Sequence, residues 1–178
     1  YRTRYYELIN NSSRTYSNLP FFDHHPILGL VPKKNTNITI NWTGPLNQTH
    51  DSVVVVPSIY INSHGMREQR EISKNLSWKT RIALLGHSFT FGDEASERFT
   101  FPNLMQEMFP KAEILNFGMN SAGITHMYLS LKTEVLQFDP DIIVMNIFLE
   151  DLERNIRGPY KPYLRVMEGN KLSLQGVP

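Results

Sequence analysis

A serine with the surroundings of a nucleophile lies in the middle of the chain. Ser88 follows the short apolar run Arg81–Leu85, and Gly86 and Gly92 on either side of it permit a sharp turn. We expect this serine to be accessible at the edge of a sheet, where the N–H groups of a following helical turn would stabilise nearby negative charge. These features suit a nucleophile and half of an oxyanion hole. An ordinary turn with Ser88 as a helix N-cap also fits the segment.

Two more apolar runs end in segments that suit a binding or catalytic edge. Glu113–Phe117 is followed by Gly118, where the missing side chain would let a backbone N–H approach a substrate oxygen. The run Asp141–Leu149 is followed by the polar segment Glu150–Asn155. Because the carboxyl ends of parallel strands meet at one edge of a sheet, we expect both segments to lie beside Ser88.

Helical patterns separate the three runs and predict a parallel sheet. Apolar residues recur at helical spacing over residues 101–109, before Pro110, and again over residues 124–138, before Asp139 and Pro140. Short strands that alternate with amphipathic helices are typical of right-handed βαβ units. The predicted fold class is therefore α/β.

The order and spacing of these segments resemble the SGNH (GDSL-type) hydrolase superfamily over roughly residues 52–178. Its members carry Gly-Asp-Ser after the first core strand, a glycine after the second, Gly-x-Asn-Asp after the third, and a late Asp-x-x-His. The matching positions are Gly86, His87, Ser88, Thr90 and Gly92 for the first block, Gly118 for the second, and Leu149, Glu150 and Asp151 for the third. Upstream, Asn62–Arg67 resembles the Asn-Ser-x-Gly-x-Arg segment of bacterial envelope members.

The resemblance implies a three-layer α/β/α sandwich with a central, mostly parallel sheet, as in SGNH and flavodoxin-like folds. Residues 53–178 would form the SGNH hydrolase-like domain, and residues 1–52 an irregular N-terminal extension packed on its core. Asn37–Trp42 and Ser52–Val56 are predicted short strands. Tyr163–Leu174 is predicted to be a β-hairpin, which resembles one that some members insert after the third block.

The resemblance also assigns roles to the matched residues. Ser88 would be the nucleophile that forms an acyl-enzyme. The N–H groups of Ser88 and Gly118 would form the oxyanion hole. The turn itself would be supported by Gly86, His87, Thr90 and Gly92.

Glu150 departs from the family pattern, because it occupies the position of the asparagine that donates to the oxyanion. An ionised carboxylate only accepts hydrogen bonds and would repel the developing negative charge. Loss of one such donor costs about 10²–10³ in rate. Either Glu150 is turned away and another amide such as Asn120 or Asn146 donates, or hydrolysis is impaired. For Asn146, inside the predicted third strand, a satisfied core amide is the alternative.

The catalytic base is missing from the pattern. No Asp-x-x-His follows Asp151, and no histidine follows His126. His87 would point away from its neighbour's hydroxyl and is interpreted as a turn residue. The remaining histidines are interpreted as surface or packing residues: His24, His25, His50, His64 and His126. We expect a C-terminally truncated chain that turns over little substrate, with the base beyond residue 178; a natural relative without a base is the alternative.

Several functions remain open on this pattern. An esterase or acyl hydrolase would act through Ser88 on an O-acyl ester of a small molecule or polysaccharide. An acyltransferase or deacetylase of envelope polysaccharide would use the same nucleophile. A non-catalytic binding module on the same fold would explain Glu150 and the missing base. A flavodoxin-like nucleotide binder is disfavoured, because no phosphate-cradling glycine motif occurs.

Composition excludes other classes of function. The 178 residues contain 18 Lys and Arg against 17 Asp and Glu, and a net charge of +1 provides no field for nucleic acid or an anionic membrane. The chain has no cysteine and hence no disulfide or thiolate metal site. Apolar runs such as Val53–Val56 and Ile142–Met145 are far shorter than the roughly 20 residues that span a bilayer. We expect no metal and no cofactor, and resemblance to envelope relatives places the protein outside the cytoplasm.

Overall fold

The computed structural model describes residues 13–16, 22–43, 58–75, 79–93, 95–154 and 161–177. The strands in these ranges are β1 Ser13–Tyr16, β2 Phe22–His25, β3 Gly29–Pro32, β4 Thr36–Thr43, β5 Ser58–Ile61, β6 Thr80–Gly86, β7 Ala112–Gly118, β8 Ile142–Met145, β9 Tyr163–Val166 and β10 Leu172–Gln175. The α-helices are α1 Ser88–Phe91, α2 Phe101–Met108, α3 Ile124–Thr133 and α4 Leu149–Arg154. Short 3-10 helices lie at Glu97–Phe99, Val135–Phe138 and Glu168–Asn170.

A three-stranded parallel sheet carries the candidate site, with β6 between β7 and β8. Leu85 lies opposite both Phe117 and Met145, and Gly86 lies opposite Gly118, so the three strands end almost level. β6 and β7 are almost wholly apolar toward this end because a parallel strand covered on both faces has no solvent-facing side. The predicted α/β class, with parallel strands and helices between them, is confirmed.

Helices flank this sheet and bury its side chains. Met127 of α3 belongs to the same apolar cluster as Leu85 of β6. Met105 of α2 packs against a second cluster that contains Leu84. Successive residues of a strand point to opposite faces, which is why these neighbouring leucines belong to different clusters. No helix in the described ranges is both long and apolar enough to cross a membrane.

The third strand is shorter and more exposed than predicted. The apolar run Asp141–Leu149 predicted one buried strand, whereas β8 ends at Met145 and α4 begins at Leu149. Ile142 is 46% exposed and Val144 is 43% exposed. Within the described residues β8 pairs only with β6, so it lies at the edge of the sheet. An apolar run has the same sequence pattern at an edge and in the middle of a sheet.

The terminal regions contain antiparallel strands. β4 includes the predicted strand Asn37–Trp42 and pairs with β1 and β5, while β2 forms a hairpin with β3 that the sequence did not predict. Leu28 and Ile38 in this region are buried. The predicted strand Ser52–Val56 lies outside the described residues. β9 pairs with β10, which confirms the predicted hairpin over Tyr163–Leu174.

A buried arginine holds the sheet at the end opposite to the candidate site. Arg81, near the start of β6, is 2% exposed. Its guanidinium donates to Glu113 Oε2, to the Phe138 carbonyl and to the Ser73 carbonyl, each at 2.6 Å. Its backbone N–H donates to the carboxylate of Asp141 at 2.7 Å. This one residue therefore joins β6 to β7, to the 3-10 helix after α3 and to the segment that precedes the sheet.

Arg81→Met is expected to lower the free energy of unfolding by about 3–5 kcal/mol, because it leaves the mostly buried Glu113 carboxylate without its partner. Arg98→Met is the control. Arg98 is exposed and its guanidinium lies 4.8 Å from the centroid of the exposed Phe99 ring, so its loss leaves no buried charge and should cost about 1 kcal/mol or less. Urea unfolding of both variants measures the difference, and equal losses would contradict the anchoring role of Arg81.

Candidate functional site

The segments that follow the three parallel strands meet at the carboxyl edge of the sheet. α1 follows β6, residues 119–123 follow β7, and residues 146–148 connect β8 to α4. The Met119 N–H donates to the Gly86 carbonyl at 3.0 Å. The Asn146 side chain donates to Thr90 Oγ1 at 3.3 Å. The structure thus brings together the segments after β6, β7 and β8, but residues 146–148 follow β8 directly, and the predicted third segment, which starts at Glu150, begins within α4.

Ser88 is the first residue of α1 and is half-buried at this edge. Its carbonyl accepts a hydrogen bond from the Gly92 N–H at 2.7 Å, and Gly92 ends the short helix in the left-handed region with a φ of 87°. A residue with a Cβ would be strained in that conformation. Within the described residues the Ser88 hydroxyl makes no hydrogen bond to a histidine.

The backbone of α1 lies directly against β7, and this approach requires a glycine. A Cβ on Gly118 would lie 2.6 Å from the carbonyl carbon of Thr90 and closer still to the Phe91 nitrogen. On β6, a Cβ on Gly86 would collide with the Thr90 hydroxyl. The two glycines therefore allow α1 to cross the strand ends closely, which places Ser88 at the edge of the sheet.

The two N–H groups predicted to bind an oxyanion differ in their surroundings. The Gly118 N–H donates to Asn116 Oδ1 at 3.0 Å, so it is engaged within the protein. The Ser88 N–H lies in the first turn of α1, where N–H groups have no partner inside the helix. The oxyanion role of Gly118 stays a prediction, and it requires Asn116 to share or release this N–H.

Glu150 is turned away from the sheet edge. Its side chain is 81% exposed and pairs with Arg154 at 3.6 Å, one turn further along α4. Of the two alternative amides, Asn120 donates to Asp93, in the loop after α1. Asn146 follows the last residue of β8, although the sequence placed it inside the strand, and it donates to a hydroxyl of α1. Both amides thus fasten the segment after β6 to its neighbours.

His87 caps α1 and is 2% exposed. Its Nδ1 accepts the Phe89 N–H at 3.3 Å, and its Nε2 lies 3.8 Å from Asp151 Oδ2. Its ring packs against Phe148 with 4.7 Å between the ring centroids. Burial lowers the pKa of His87, and the nearby Asp151 carboxylate opposes this shift. Both ring nitrogens are therefore directed at atoms other than the Ser88 hydroxyl, as the interpretation of His87 as a turn residue requires.

Arg67, the last residue of the segment Asn62–Arg67, holds the loop after α1, a role that sequence reasoning missed. Arg67 is 2% exposed, and its guanidinium lies 5.2 Å from the centroid of the Phe91 ring. It donates to the carbonyls of Phe91, Gly92 and Ala95. Burial lowers the pKa of Arg67 to about 10, so the side chain stays charged at neutral pH. The signal in the sequence was the Asn-Ser-x-Gly-x-Arg spacing, for which no contact was predicted.

The other described histidines lie on elements other than the turn that carries Ser88. His24 is exposed on β2, and His25 Nδ1 accepts two backbone N–H groups of its own turn. The His64 ring packs edge-on against Phe138. His50 lies outside the described residues.

Gly118→Ala is expected to displace α1 and to lower the free energy of unfolding by about 1–3 kcal/mol, because the new methyl group has no space beside Phe91. Gly169→Ala is the control, since Gly169 has a φ of 73° but a Cβ added there would meet no atom within 4 Å. Its cost of about 1–2 kcal/mol should stay local to the hairpin. Amide chemical shifts of residues 87–91 distinguish the two, and unchanged shifts in Gly118→Ala would contradict the close approach.

His126 is buried in the first turn of α3, and desolvation, with smaller contributions from Lys161 and His25, lowers its pKa to about 4 from the usual 6.5. Between these two pH values the unfolded chain binds a proton that the folded chain does not. The free energy of unfolding should therefore fall by about 2–3 kcal/mol from this residue as the pH decreases from about 6.5 to 4. Denaturation of wild type and His126→Gln at both pH values measures the slope, with His24→Gln as an exposed control. A slope that His126→Gln leaves unchanged would be inconsistent with this account.

Comparison with known proteins provides no family assignment. No protein-family model matches the chain, and no curated protein sequence matches it significantly. Within the described ranges, no three histidine, aspartate or glutamate side chains come together as a metal site would require. The resemblance to SGNH hydrolases therefore rests on the sequence blocks alone.

Proposed function

We propose that the protein is an SGNH-type serine esterase or acyl hydrolase that acts on O-acyl esters through an acyl-enzyme on Ser88. The observation that carries the proposal is the position of Ser88, half-buried at the start of α1, where the segments after three parallel strands meet. Ligands of open α/β sheets bind at this edge. A three-layer α/β/α sandwich is the complete fold that the assignment implies.

In the proposed reaction the Ser88 hydroxyl attacks the ester carbonyl while a general base takes its proton. The tetrahedral intermediate then expels the alcohol, which receives that proton, and an acyl-enzyme remains. Water attacks the acyl-enzyme in the same way, which releases the carboxylic acid and restores the hydroxyl. The Ser88 N–H would donate to the oxyanion in both intermediates, together with the Gly118 N–H where Asn116 yields it.

The proposal takes the general base from an Asp-x-x-His segment outside residues 1–178. His87, the histidine next to Ser88, has its Nδ1 on the Phe89 N–H and its Nε2 toward Asp151. A serine hydroxyl without a base is a weak nucleophile, so residues 1–178 alone should turn over little substrate. An ester of a small molecule or polysaccharide as substrate, and a location outside the cytoplasm, belong to the same proposal.

An acyltransferase or deacetylase acting on envelope polysaccharide would use the same serine. In the transferase a sugar hydroxyl, instead of water, accepts the acyl group from Ser88.

A non-catalytic binding module is the second candidate function, and two observations favour it. The Gly118 N–H is engaged by Asn116, and Glu150, at the family's donor position, faces solvent.

The full-length protein, expressed from its complete reading frame, is expected to react with a fluorophosphonate probe at Ser88, because the probe captures a base-activated serine. Ser88→Ala should lose the label. Ser96→Ala should keep it, because Ser96 is also half-buried but precedes the 3-10 helix Glu97–Phe99 instead of following a strand of the parallel sheet. Peptide mass spectrometry locates the adduct.

The other outcomes of this experiment separate the candidate functions. An unlabelled wild type would exclude both acyl-enzyme reactions and favour the binding module. Labelling that survives Ser88→Ala would refute the assignment of the nucleophile. If the wild type reacts with the probe, enzyme that has not been exposed to the probe is then assayed: release of free acid from an acylated sugar indicates hydrolysis, and transfer to an added oligosaccharide indicates the transferase.

A further inference from the structure

A buried carboxylate on α4 faces the histidine that precedes Ser88. Asp151 is fully buried, and its Oδ2 lies 3.8 Å from His87 Nε2. The two residues belong to different segments of the sheet edge, since His87 follows β6 and Asp151 lies in the helix after β8. The pair therefore spans the gap between the turn that carries Ser88 and the third segment.

The hydrogen bond at Nδ1 determines which nitrogen of a neutral His87 ring carries the hydrogen. Because Nδ1 accepts the Phe89 N–H, a neutral ring carries its hydrogen on Nε2, the nitrogen on the Asp151 side. Within the described residues Nε2 has no hydrogen-bond partner. A separation of 3.8 Å is too long for a hydrogen bond, so Asp151 acts on the ring through its charge.

Asp151 is itself fixed at the start of α4. Its Oδ2 accepts the Phe148 N–H at 2.8 Å, and its Oδ1 accepts from Arg154 at 2.8 Å. The Phe148 ring in turn packs against the ring of His87 and lies 5.4 Å from the ring of Phe89. An electrostatic contact and an aromatic contact thus connect the same two segments side by side.

We propose that His87 and Asp151 are positioning residues for Ser88, which together hold the turn that carries the hydroxyl against α4. Neither residue touches the substrate in this proposal. As a statement about reactivity it rests on the proposed function, because it takes Ser88 as the nucleophile. It also gives the third segment a role other than the oxyanion donor that the family resemblance expects at Glu150.

The charges around His87 give this coupling a signature that packing alone would not produce. Burial lowers the pKa of His87, Asp151 opposes that shift, Arg154 adds to it, and Glu150 opposes it more weakly. Asp151→Asn should therefore lower the pKa of His87 further, whereas Arg154→Gln should raise it. Glu153→Gln, a change of an exposed carboxylate on the same helix, is the control and should leave the pKa unchanged.

The first experiment follows the His87 ring and the Ser88 amide by NMR in the full-length protein and these variants. The expected result is a lower titration midpoint in Asp151→Asn and a higher one in Arg154→Gln. The Ser88 amide resonance should be displaced in Asp151→Asn and keep its wild-type position in Glu153→Gln. Identical midpoints and an unmoved Ser88 amide in Asp151→Asn would overturn the proposal.

The second experiment measures the rate of fluorophosphonate labelling against pH. Asp151→Asn and His87→Asn, which retains a cap acceptor for α1, should each slow labelling by about tenfold or more, because small displacements of a nucleophile cost rate. In Asp151→Asn, the pH dependence of the labelling rate should shift in the same direction as the titration midpoint of His87. Glu153→Gln should match wild type in both rate and pH dependence.

The two experiments distinguish failure of this inference from failure of the proposed function. Variants that label as fast as wild type would overturn the positioning role and leave Ser88 as the nucleophile. An unlabelled wild type would refute the proposed function, while the variant-specific movement of the Ser88 amide would still support the hold of His87 and Asp151 on the turn.

Discussion

The close approach of α1 to β7 is the contact on which the arrangement of the sheet edge depends. Because Gly118 has no Cβ, the Thr90 and Phe91 backbone lies directly on the strand end. A side chain there would lift α1 and carry Ser88 away from the other two segments. Arg67 supports the approach, since its guanidinium donates to carbonyls at the end of α1 and in the loop beyond it. Charged donors suit this place, because carbonyls at a helix end have no partner within the helix.

The spacing of apolar residues was sufficient to predict the three parallel strands and the helices between them, because strands buried on both faces read as continuous apolar runs. The end of the third strand could not be predicted in this way. Ile147, Phe148 and Leu149 are 50%, 44% and 81% exposed, yet they continue the apolar run beyond Met145. Even the Asn146 N–H still donates to a β6 carbonyl at 2.8 Å after the strand has ended. The short strands β1, β2 and β3 were missed, unlike the predicted strand within β4, because brief antiparallel pairs leave no long period to detect.

In the candidate site, the spacing of glycine and serine predicted which segments meet, because those residue types reflect backbone geometry. Spacing does not show which side chains face each other across the edge. His87 and Asp151 are remote in sequence, and the level ends of β6 and β8 bring them to 3.8 Å. The same limit applies to Gly118, whose N–H was expected to face a substrate. In the structure the missing side chain makes room for α1, and the N–H donates to Asn116.

The acidic start of α4 is less unfavourable for an anionic intermediate than its sequence indicates. Successive helical residues point about 100° apart, so Glu150 faces solvent while Asp151 faces the interior. Arg154 lies 3.6 Å from the Glu150 carboxylate and 2.8 Å from that of Asp151, so one cation offsets part of both charges. A carboxylate as exposed as Glu150 is also screened by water and salt. In the proposed reaction the exposed Glu150 would therefore neither donate to the oxyanion nor strongly repel it, and the proposed donors are backbone N–H groups.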